Sequence, residues 1–580
     1  MPRVLFLSPP RRADGSRPLF NHASLTLASF LVRQGIEARM EPLVGPGWAR
    51  HLEHVLADFR PDHAAISCKW WDTLHGATEV ARRVKAQDSR IATLAGGQTA
   101  TAFADELVRR GMLDAVVRGD GERPLLARVR GEPGPNLTWM QDGIVRTTEQ
   151  TYVQRPADGE DLTLLDDLTE IADSRLLAWI GREVPFVWTG KGCRSTCLYC
   201  AGSALGHKRL FNRTGYVYRP IDQVIHDLEV FAPWSGGSFL FDFDPVTDPD
   251  KEPYYLELFS RLPRRRYHAL FYCWSLPSRS FIERISDTFA SAVVGLDAQT
   301  YSEPLRQRLA QRAWIKPFSS DDAILDRLAA IGETPNLTAS VYGILGLATE
   351  TAEDVRRAEE FLERIHADHG PHLHELALTP LSIEPGALVN GNPQKYGIVP
   401  LRHTLDDYLA HTGQAWSGQA GFHGQPWKED GPHPFGLMLA GDAPDRVWRD
   451  YQRLQDRLAA MDTERHQARA MGNLTFTEDA VRLVLRNRTV FEPVWELLPW
   501  AVDNALAWER PQVHIEAEDA WIHVPDSETL TFDERFQVTV EGLGRVRHAL
   551  SSGQARLHLE TKQGQQWGAI GELPSIRMPS

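Results

Sequence analysis

The 580-residue chain has only five cysteines, and no stretch of it reaches the roughly 18 apolar residues that a membrane span requires. So few cysteines, and an odd number of them, exclude a secreted disulfide framework and leave metal or redox chemistry for the thiols. A long Lys/Arg stripe is also lacking. With 63 basic residues against 77 acidic ones the net charge is −14, which argues against a partner bound through its phosphate backbone. A small-molecule or peptide substrate is expected, with no nucleic acid and no membrane. The opening MPRVLFLSPPRR holds one short apolar run, Val4 to Leu7, closed by Pro9 and Pro10. That run is too short for a signal peptide, so the expected location is cytoplasmic. No repeat or low-complexity tract stands out.

What is present points to a large globular enzyme. Hydrophobic residues make up 42% of the chain and charged residues 24%, with 17 Trp and 23 Phe, which is ample material for packed cores. At this length several domains are expected. Residues 1–135 alternate between strand and helix patterns. Strands are read at Val4 to Leu7, Glu37 to Val44, His63 to Cys68, Ile91 to Ala95 and Ala115 to Val117. Helices are read at Ser24 to Gln34, Thr73 to Lys85 and Thr101 to Arg110. Helices between strands imply parallel pairing and a doubly wound sheet, whose strand-end loops bind ligands. Those loops carry Ser8-Pro9-Pro10, Gly96-Gly97-Gln98-Thr99 and Gly119-Asp120-Gly121-Glu122.

A mixed stretch at 136–183 reads as a linker. A second strand–helix series then fills 184–400, with strands at Val184 to Thr189, Ser238 to Phe243, Ala269 to Trp274, Ala292 to Leu296, Leu337 to Leu345 and His374 to Leu378. The helices at Ile221 to Phe231 and Ala352 to Ile365 each gather their apolar residues on one face. About six such units suggest a partial barrel, with functional groups at the C-terminal strand ends. Residues 401–580 form a mixed domain with helices near 443–461 and 477–487 and strand-like QVHIEA and RFQVTVEG. It is expected to face the substrate, through a pocket that His423, Trp427, His433 and Trp495 could line.

Three of the five cysteines crowd into GKGCRSTCLYCAG, at Cys193, Cys197 and Cys200. Thiolates in one short loop can hold three corners of an iron–sulfur cube and leave the fourth iron open. A structural zinc site, with His207 as a fourth ligand, is the bland alternative, though zinc prefers four ligands at more regular spacing. A redox dithiol would not need three cysteines. Cys68 and Cys273 lie in apolar strands and read as core residues.

The Cys-x3-Cys-x2-Cys spacing, with Tyr199 before the last cysteine, resembles the cluster loop of radical S-adenosylmethionine (SAM) enzymes. GILGLATETAEDV at 343–355 and SIEPGALV at 382–389 look like two later elements of that family, and LAGGQTATAFADELVRRGMLDAVVRGDGERPLL at 94–126 is similar to cobalamin-binding domains fused to it. The resemblance covers about residues 1–400. It implies an α/β fold: a Rossmann-like doubly wound cobalamin-binding domain, a partial (β/α)6 radical SAM barrel and a mixed C-terminal domain. Cys193, Cys197 and Cys200 would hold a [4Fe–4S] cluster. Tyr199, Asp242, Asp244, Asp297, Gln299 and Gly346 would contact SAM, although FDFDP stands where the family usually has Gly-Gly-Glu. Ser8, Gly96, Gly97, Gln98, Thr99, Gly119, Glu122, Trp70 and Trp71 would surround cobalamin. Loop hydrogen bonding, tight turns and core packing are the ordinary alternatives for these residues.

One departure stands out. The Asp-x-His-x-x-Gly motif that supplies an axial histidine to cobalt is absent from SPPRRADGSRPLFNH, and His22 and Asp72-Thr73-Leu74-His75-Gly76 are wrongly framed for it. Cobalt without a histidine ligand is implied, and a vestigial domain that binds no cobalamin stays open. The implied activity is a cobalamin-dependent radical methylation of an unactivated carbon or phosphorus in specialised metabolism, fed by an external flavodoxin- or ferredoxin-type electron donor. Its rival is a non-methylating radical reaction on the same fold: ring contraction, cyclisation, or transfer of another SAM fragment such as aminocarboxypropyl.

Overall fold

A computed structural model describes residues 2–469 apart from 14–21, 44–46, 156–157, 159–160, 174–175, 178–184, 418–435 and 444, and beyond 469 it describes strand segments alone. His423, Trp427, His433 and Trp495 lie outside the described residues. The chain divides into two compact units, Met1–Leu454 and Gln455–Ser580.

The first sheet forms where the apolar runs were read. Its strands β1 (Arg3–Ser8), β2 (Glu37–Pro42), β3 (His63–Ser67), β4 (Ala92–Gly96) and β5 (Ala115–Val117) pair in parallel in the order β2-β1-β3-β4-β5. The connecting helices are α1 (His22–Arg33), α2 (Trp48–Phe59), α3 (Leu74–Gln87), α4 (Gln98–Ala102) and α5 (Ala104–Arg109), and α6 (Glu122–Arg130) follows β5. The central strand β1 is buried on both faces, which is why Val4 to Leu7 is continuously apolar. The strand order reverses between β1 and β3, and this crevice is where open α/β sheets bind ligands.

The helix expected over 101–110 begins earlier and is split at Phe103 into α4 and α5. Gly97, at φ 111°, ends β4 abruptly so that a helical turn starts at once. The expected linker opens with a hairpin, β6 (Leu137–Gln141) and β7 (Ile144–Thr147), that extends the first sheet antiparallel to β5. Its turn is Asp142-Gly143 with both residues at positive φ, the geometry that two-residue hairpins require.

A second sheet carries β10 (Ser238–Phe243), β11 (His268–Cys273), β12 (Ser291–Gln299), β13 (Leu337–Leu345) and β14 (Leu373–Pro380), all parallel and in sequence order. Before it, β8 (Gly190–Gly192) and β9 (Tyr216–Tyr218) form a short antiparallel pair. The strand expected at Val184 to Thr189 contributes one parallel bridge, Phe186 to Leu240. The helices are α7 (Ala204–Phe211), α8 (Ile221–Ser235), α9 (Lys251–Arg261), α10 (Arg279–Thr288), α11 (Glu303–Gln311), α12 (Asp321–Gly332) and α13 (Ala352–His369). Consecutive parallel strands with right-handed crossovers place their helices on one face, as in a barrel wall. Phe241, Phe243 and Phe271 pack there against Tyr255 and Phe259 of α9 and Phe281 of α10. Their strand neighbours Leu240, Asp242, Asp244 and Tyr272 therefore point to the opposite, inner face.

After the second sheet the chain returns to the first. Helix α14 (Leu405–Trp416) places Leu405, Tyr408 and Ala415 in the core cluster of the first sheet. Trp71 packs against Tyr408 and His411, at ring distances of 6.1 and 5.4 Å, and its indole N–H donates to Ser382 Oγ at 2.8 Å. In the second unit, Leu474–Phe476 pairs antiparallel with Ala480–Val484, a strand inside the stretch where a helix is expected near 477–487. Ala480–Val484 also pairs with Gln537–Glu541, so Val481 and Leu483 follow a two-residue period. Strands do form at Gln512–Ala517 and Gln537–Glu541, within QVHIEA and RFQVTVEG. Among the described residues no helix is long and apolar enough to cross a membrane.

Trp71 joins the first domain to both α14 and the segment after β14. Trp71→Ala is expected to cost about 3–5 kcal/mol, the range for a buried Trp truncation. The check is the urea midpoint of the transition assigned to residues 1–454; an unchanged midpoint would contradict this packing.

Candidate functional site

The cysteine loop runs from β8 to α7. Gly192, at φ 117°, sits where a Cβ would lie 2.2 Å from the Gly215 carbonyl oxygen, so only glycine fits directly before Cys193. Ser203 closes the loop by capping α7, its hydroxyl accepting from the Gly206 N–H.

Hydrogen bonds from several elements hold the loop. Ser195 N–H points at Cys193 Sγ, 3.3 Å away, and Ser195 Oγ donates to Asp244 at 3.0 Å. Thr196 Oγ1 donates to the Ala313 carbonyl at 2.8 Å and Leu198 N–H to the Trp314 carbonyl at 3.0 Å, so both neighbours of Cys197 are tied to the loop between α11 and α12. On the far side, Val389 N–H donates to the Leu198 carbonyl, Glu384 N–H to the Tyr199 carbonyl, and Ala201 N–H to Glu384 Oε2. SIEPGALV is thus a clamp on the cysteine loop.

All three cysteines are free thiols. Burial pushes each of them up, Cys197 to about 12 and Cys200 well above its ordinary value. Two of them also feel the charge of another: Cys193 acts on Cys197, and both act on Cys200. The three sulfurs therefore share one space, and without a cation none of them is easily ionised. Among the described residues no three His, Cys, Asp or Glu side chains, these cysteines included, gather tightly enough for one metal ion. His207 instead packs on Phe211, its pKa lowered to about 4 by burial and by Arg213.

The residues expected near SAM divide into two groups. Four of them surround the loop. Tyr199 OH donates to Gln299 Oε1 at 3.0 Å, and Asp244 accepts from Ser195, Thr247 and Ser275. Asp297 pairs with Lys316. Gln299 has a left-handed backbone, φ 61°, and its Nε2 is buried without a partner, the kind of strain and orphaned donor that marks a ligand site. The other two are committed elsewhere. Asp242 is paired with the buried Lys251, and Gly346 donates its N–H to both oxygens of Glu350, at 3.0 and 3.1 Å.

The residues expected around cobalamin lie at the C-terminal ends of β1, β3, β4 and β5. Ser8, Trp70, Gly96, Gly97 and Gln98 share the rim at and beside the crevice. Gly96 is open, a Cβ there meeting only the Val117 carbonyl oxygen at 3.7 Å, and Gln98 Oε1 is buried without a partner. Thr99 spends its N–H and its hydroxyl on the Lys69 carbonyl, at 3.1 and 3.0 Å. Trp71 is buried in the core cluster, against Tyr408 and His411. Glu122 binds Lys191 Nζ at 2.6 Å, and Gly119 packs on Gln150, so this loop meets the cysteine-bearing hairpin.

Sequence reasoning missed Ser195, Lys191, Lys316 and the clamping role of Glu384. Ser195, Lys191 and Glu384 lie inside quoted motifs, whereas Lys316 lies outside all of them. Cys68 and Cys273 are buried, as expected of core residues.

Residues 23–129 match the family model of the B12 binding domain. The first domain is therefore of the B12-binding class. The described fold is similar to that of the radical S-adenosylmethionine methyltransferase TsrM from Kitasatospora setae. With tryptophan substrate and the SAM analogue aza-SAM bound, that structure gives a TM-score of 0.58 at 15% identity, covering 80% of this chain and 89% of that one. A second TsrM structure, with cobalamin and a [4Fe–4S] cluster bound, gives 0.57 at 14% identity, covering 80% and 91%. At such identities the likeness establishes the fold. No curated protein sequence matches the chain.

Glu350 titrates far from its ordinary range. Burial pushes its pKa from 4.5 up to about 8, against the opposing Gly346 N–H and Arg446. The fold keeps a proton that the unfolded chain releases, so its stabilising effect is complete below pH 4.5 and is lost as pH rises through about 8. Glu350→Gln is expected to flatten that slope in thermal unfolding between pH 5 and 8; an unchanged slope would place the titration elsewhere.

Proposed function

We propose that the chain is a cobalamin-dependent radical SAM enzyme that methylates an unactivated carbon or phosphorus of a specialised-metabolite substrate. The observation that carries this reading is the position of the three-thiol loop. It sits beside the C-terminal ends of one parallel sheet and is tied by Lys191 to a B12-binding domain that presents its own ligand rim. TsrM, of similar fold, is a methyltransferase with cobalamin and a [4Fe–4S] cluster, which supports the assignment.

In this reading Cys193, Cys197 and Cys200 would hold a [4Fe–4S] cluster. Gln299 and Tyr199 line the SAM side, and Ser8, Gly96, Gly97, Gln98 and Trp70 line the cobalamin side. Bound there, the cluster and SAM supply a 5'-deoxyadenosyl radical, and cobalamin supplies a methyl group. The protein's own part is to hold the loop rigid, through Ser195–Asp244 and the Glu384 clamp, and to keep water from the thiols. The substrate is a small molecule or a peptide, and a flavodoxin- or ferredoxin-type protein supplies the electrons.

Anaerobic reconstitution is expected to give about four irons and four sulfides per chain. Cys197→Ala should abolish 5'-deoxyadenosine formation, measured by mass spectrometry, and undiminished formation would refute the ligand assignment. Retention of cobalamin with its visible spectrum is expected. A chain that forms 5'-deoxyadenosine but retains no corrinoid would instead favour the non-methylating reaction.

A further inference from the structure

Lys316 lies outside every motif, yet its position is built with care. Ala313, at φ 54°, turns the chain after α11 so that the carbonyls of residues 313 and 314 receive the hydroxyl of Thr196 and the N–H of Leu198. Thr196 and Leu198 flank Cys197, so the loop bearing Lys316 is fixed against Cys197 itself. Trp314 is in turn wedged edge-on against Tyr396, at 5.0 Å. From this anchored loop the Lys316 ammonium reaches inward, pairs with Asp297 at the end of β12 and lies 5.3 Å from the Trp274 ring. Its side chain is 13% exposed and that of Asp297 16%. Lys316 acts electrostatically on both Cys193 and Cys197.

A buried ammonium is costly unless something uses it. Asp297 alone offsets one charge, and three thiolates beside it would leave the region strongly negative. Resting on the cluster assignment proposed above, we propose that Lys316 is an electrostatic positioning residue that makes the cluster easier to reduce by holding fixed positive charge beside Cys193 and Cys197. Reduction adds one electron from a low-potential one-electron donor. No bond is made or broken and no proton moves. The added negative charge is what the ammonium favours, and local charge is one of the quantities that set cluster potentials. Asp297 acts in the opposite sense, so the pair sets the local charge that the cluster feels.

The test is a potentiometric titration of the reconstituted full-length protein without SAM, using dithionite as reductant and the paramagnetic signal of the reduced cluster as readout. Lys316→Met is expected to lower the reduced-to-oxidised ratio about tenfold at the wild-type midpoint, which is about 59 mV for one electron. Asp297→Asn should shift the midpoint upward, and Lys316→Arg should stay near wild type. A purely structural ion pair predicts no opposed shifts. The proposal is overturned if Lys316→Met and Asp297→Asn both leave the midpoint unchanged or move it the same way. Should Lys316→Met lose its cluster, Asp297→Asn decides: a midpoint that does not rise overturns the proposal. Wild-type protein that takes up no iron would sink the cluster reading as well, whereas a cluster-bearing protein without these shifts overturns only the role of Lys316.

Discussion

Three thiols in one eight-residue span, Cys197 buried and Cys193 and Cys200 half-buried, are the constraint around which this protein is organised. Burial penalises thiolate, and Cys193 and Cys197 penalise ionisation of the cysteines after them, so positive charge near the loop favours the thiolates. A flexible loop would relieve the strain by splaying its cysteines apart. The structure prevents this by binding the loop to Asp244, to residues 313 and 314, to Gln299 and to the clamp at Glu384. Each contact comes from a different part of the second sheet or its connections. Folding of that sheet and shaping of the loop are therefore one event.

The same economy joins the first sheet to the second. Lys191, two residues before Cys193, is held by Glu122 and Asp120 of the loop after β5, and Arg213 adds a buried pair to Asp120. Losing one partner of such a buried pair typically costs about 3–5 kcal/mol, because the other charge is left uncompensated. Such pairs give orientation more than stability. Trp71 makes a second join of a different kind, an aromatic wedge against Tyr408 and His411 with one directed hydrogen bond to Ser382. Together these joins aim the rim of the B12-binding domain at the cysteine loop.

The fold was largely legible in the sequence because buried parallel strands are continuous apolar runs. Ser238 to Phe243 and Leu337 to Leu345 were read to the residue, as was Ala115 to Val117. What escaped was set by context. Val184 to Thr189 has a strand's composition, but its described residues form one bridge, at Phe186, and Ala480–Val484, within a stretch of helical composition, pairs in a sheet. In the site, the cysteines announced themselves by spacing. Lys316 could not, because its loop is placed by two donors, Thr196 Oγ1 and the Leu198 N–H, more than a hundred residues away in sequence. Glu122 illustrates the converse: a polar residue at a strand end, read as a ligand contact, is used to bind Lys191.

The inner face of the second sheet extends the argument to what occupies it. Register pairs Asp242 with Tyr272, Tyr272 with Gly295, Gly295 with Ser340 and Ser340 with Glu375 across five successive strands. A packed barrel would fill such a layer with Val, Ile and Leu. Here it holds carboxylates, a phenol, a hydroxyl and a glycine whose Cβ would lie 2.7 Å from the Tyr342 ring. Asp242 is neutralised by Lys251, and Ser340 is fully buried. A layer of this kind is stable only where polar groups find partners. The outer face of this sheet thus carries the hydrophobic core, and the inner face carries a polar layer in which Ser340 Oγ is buried without a hydrogen-bond partner.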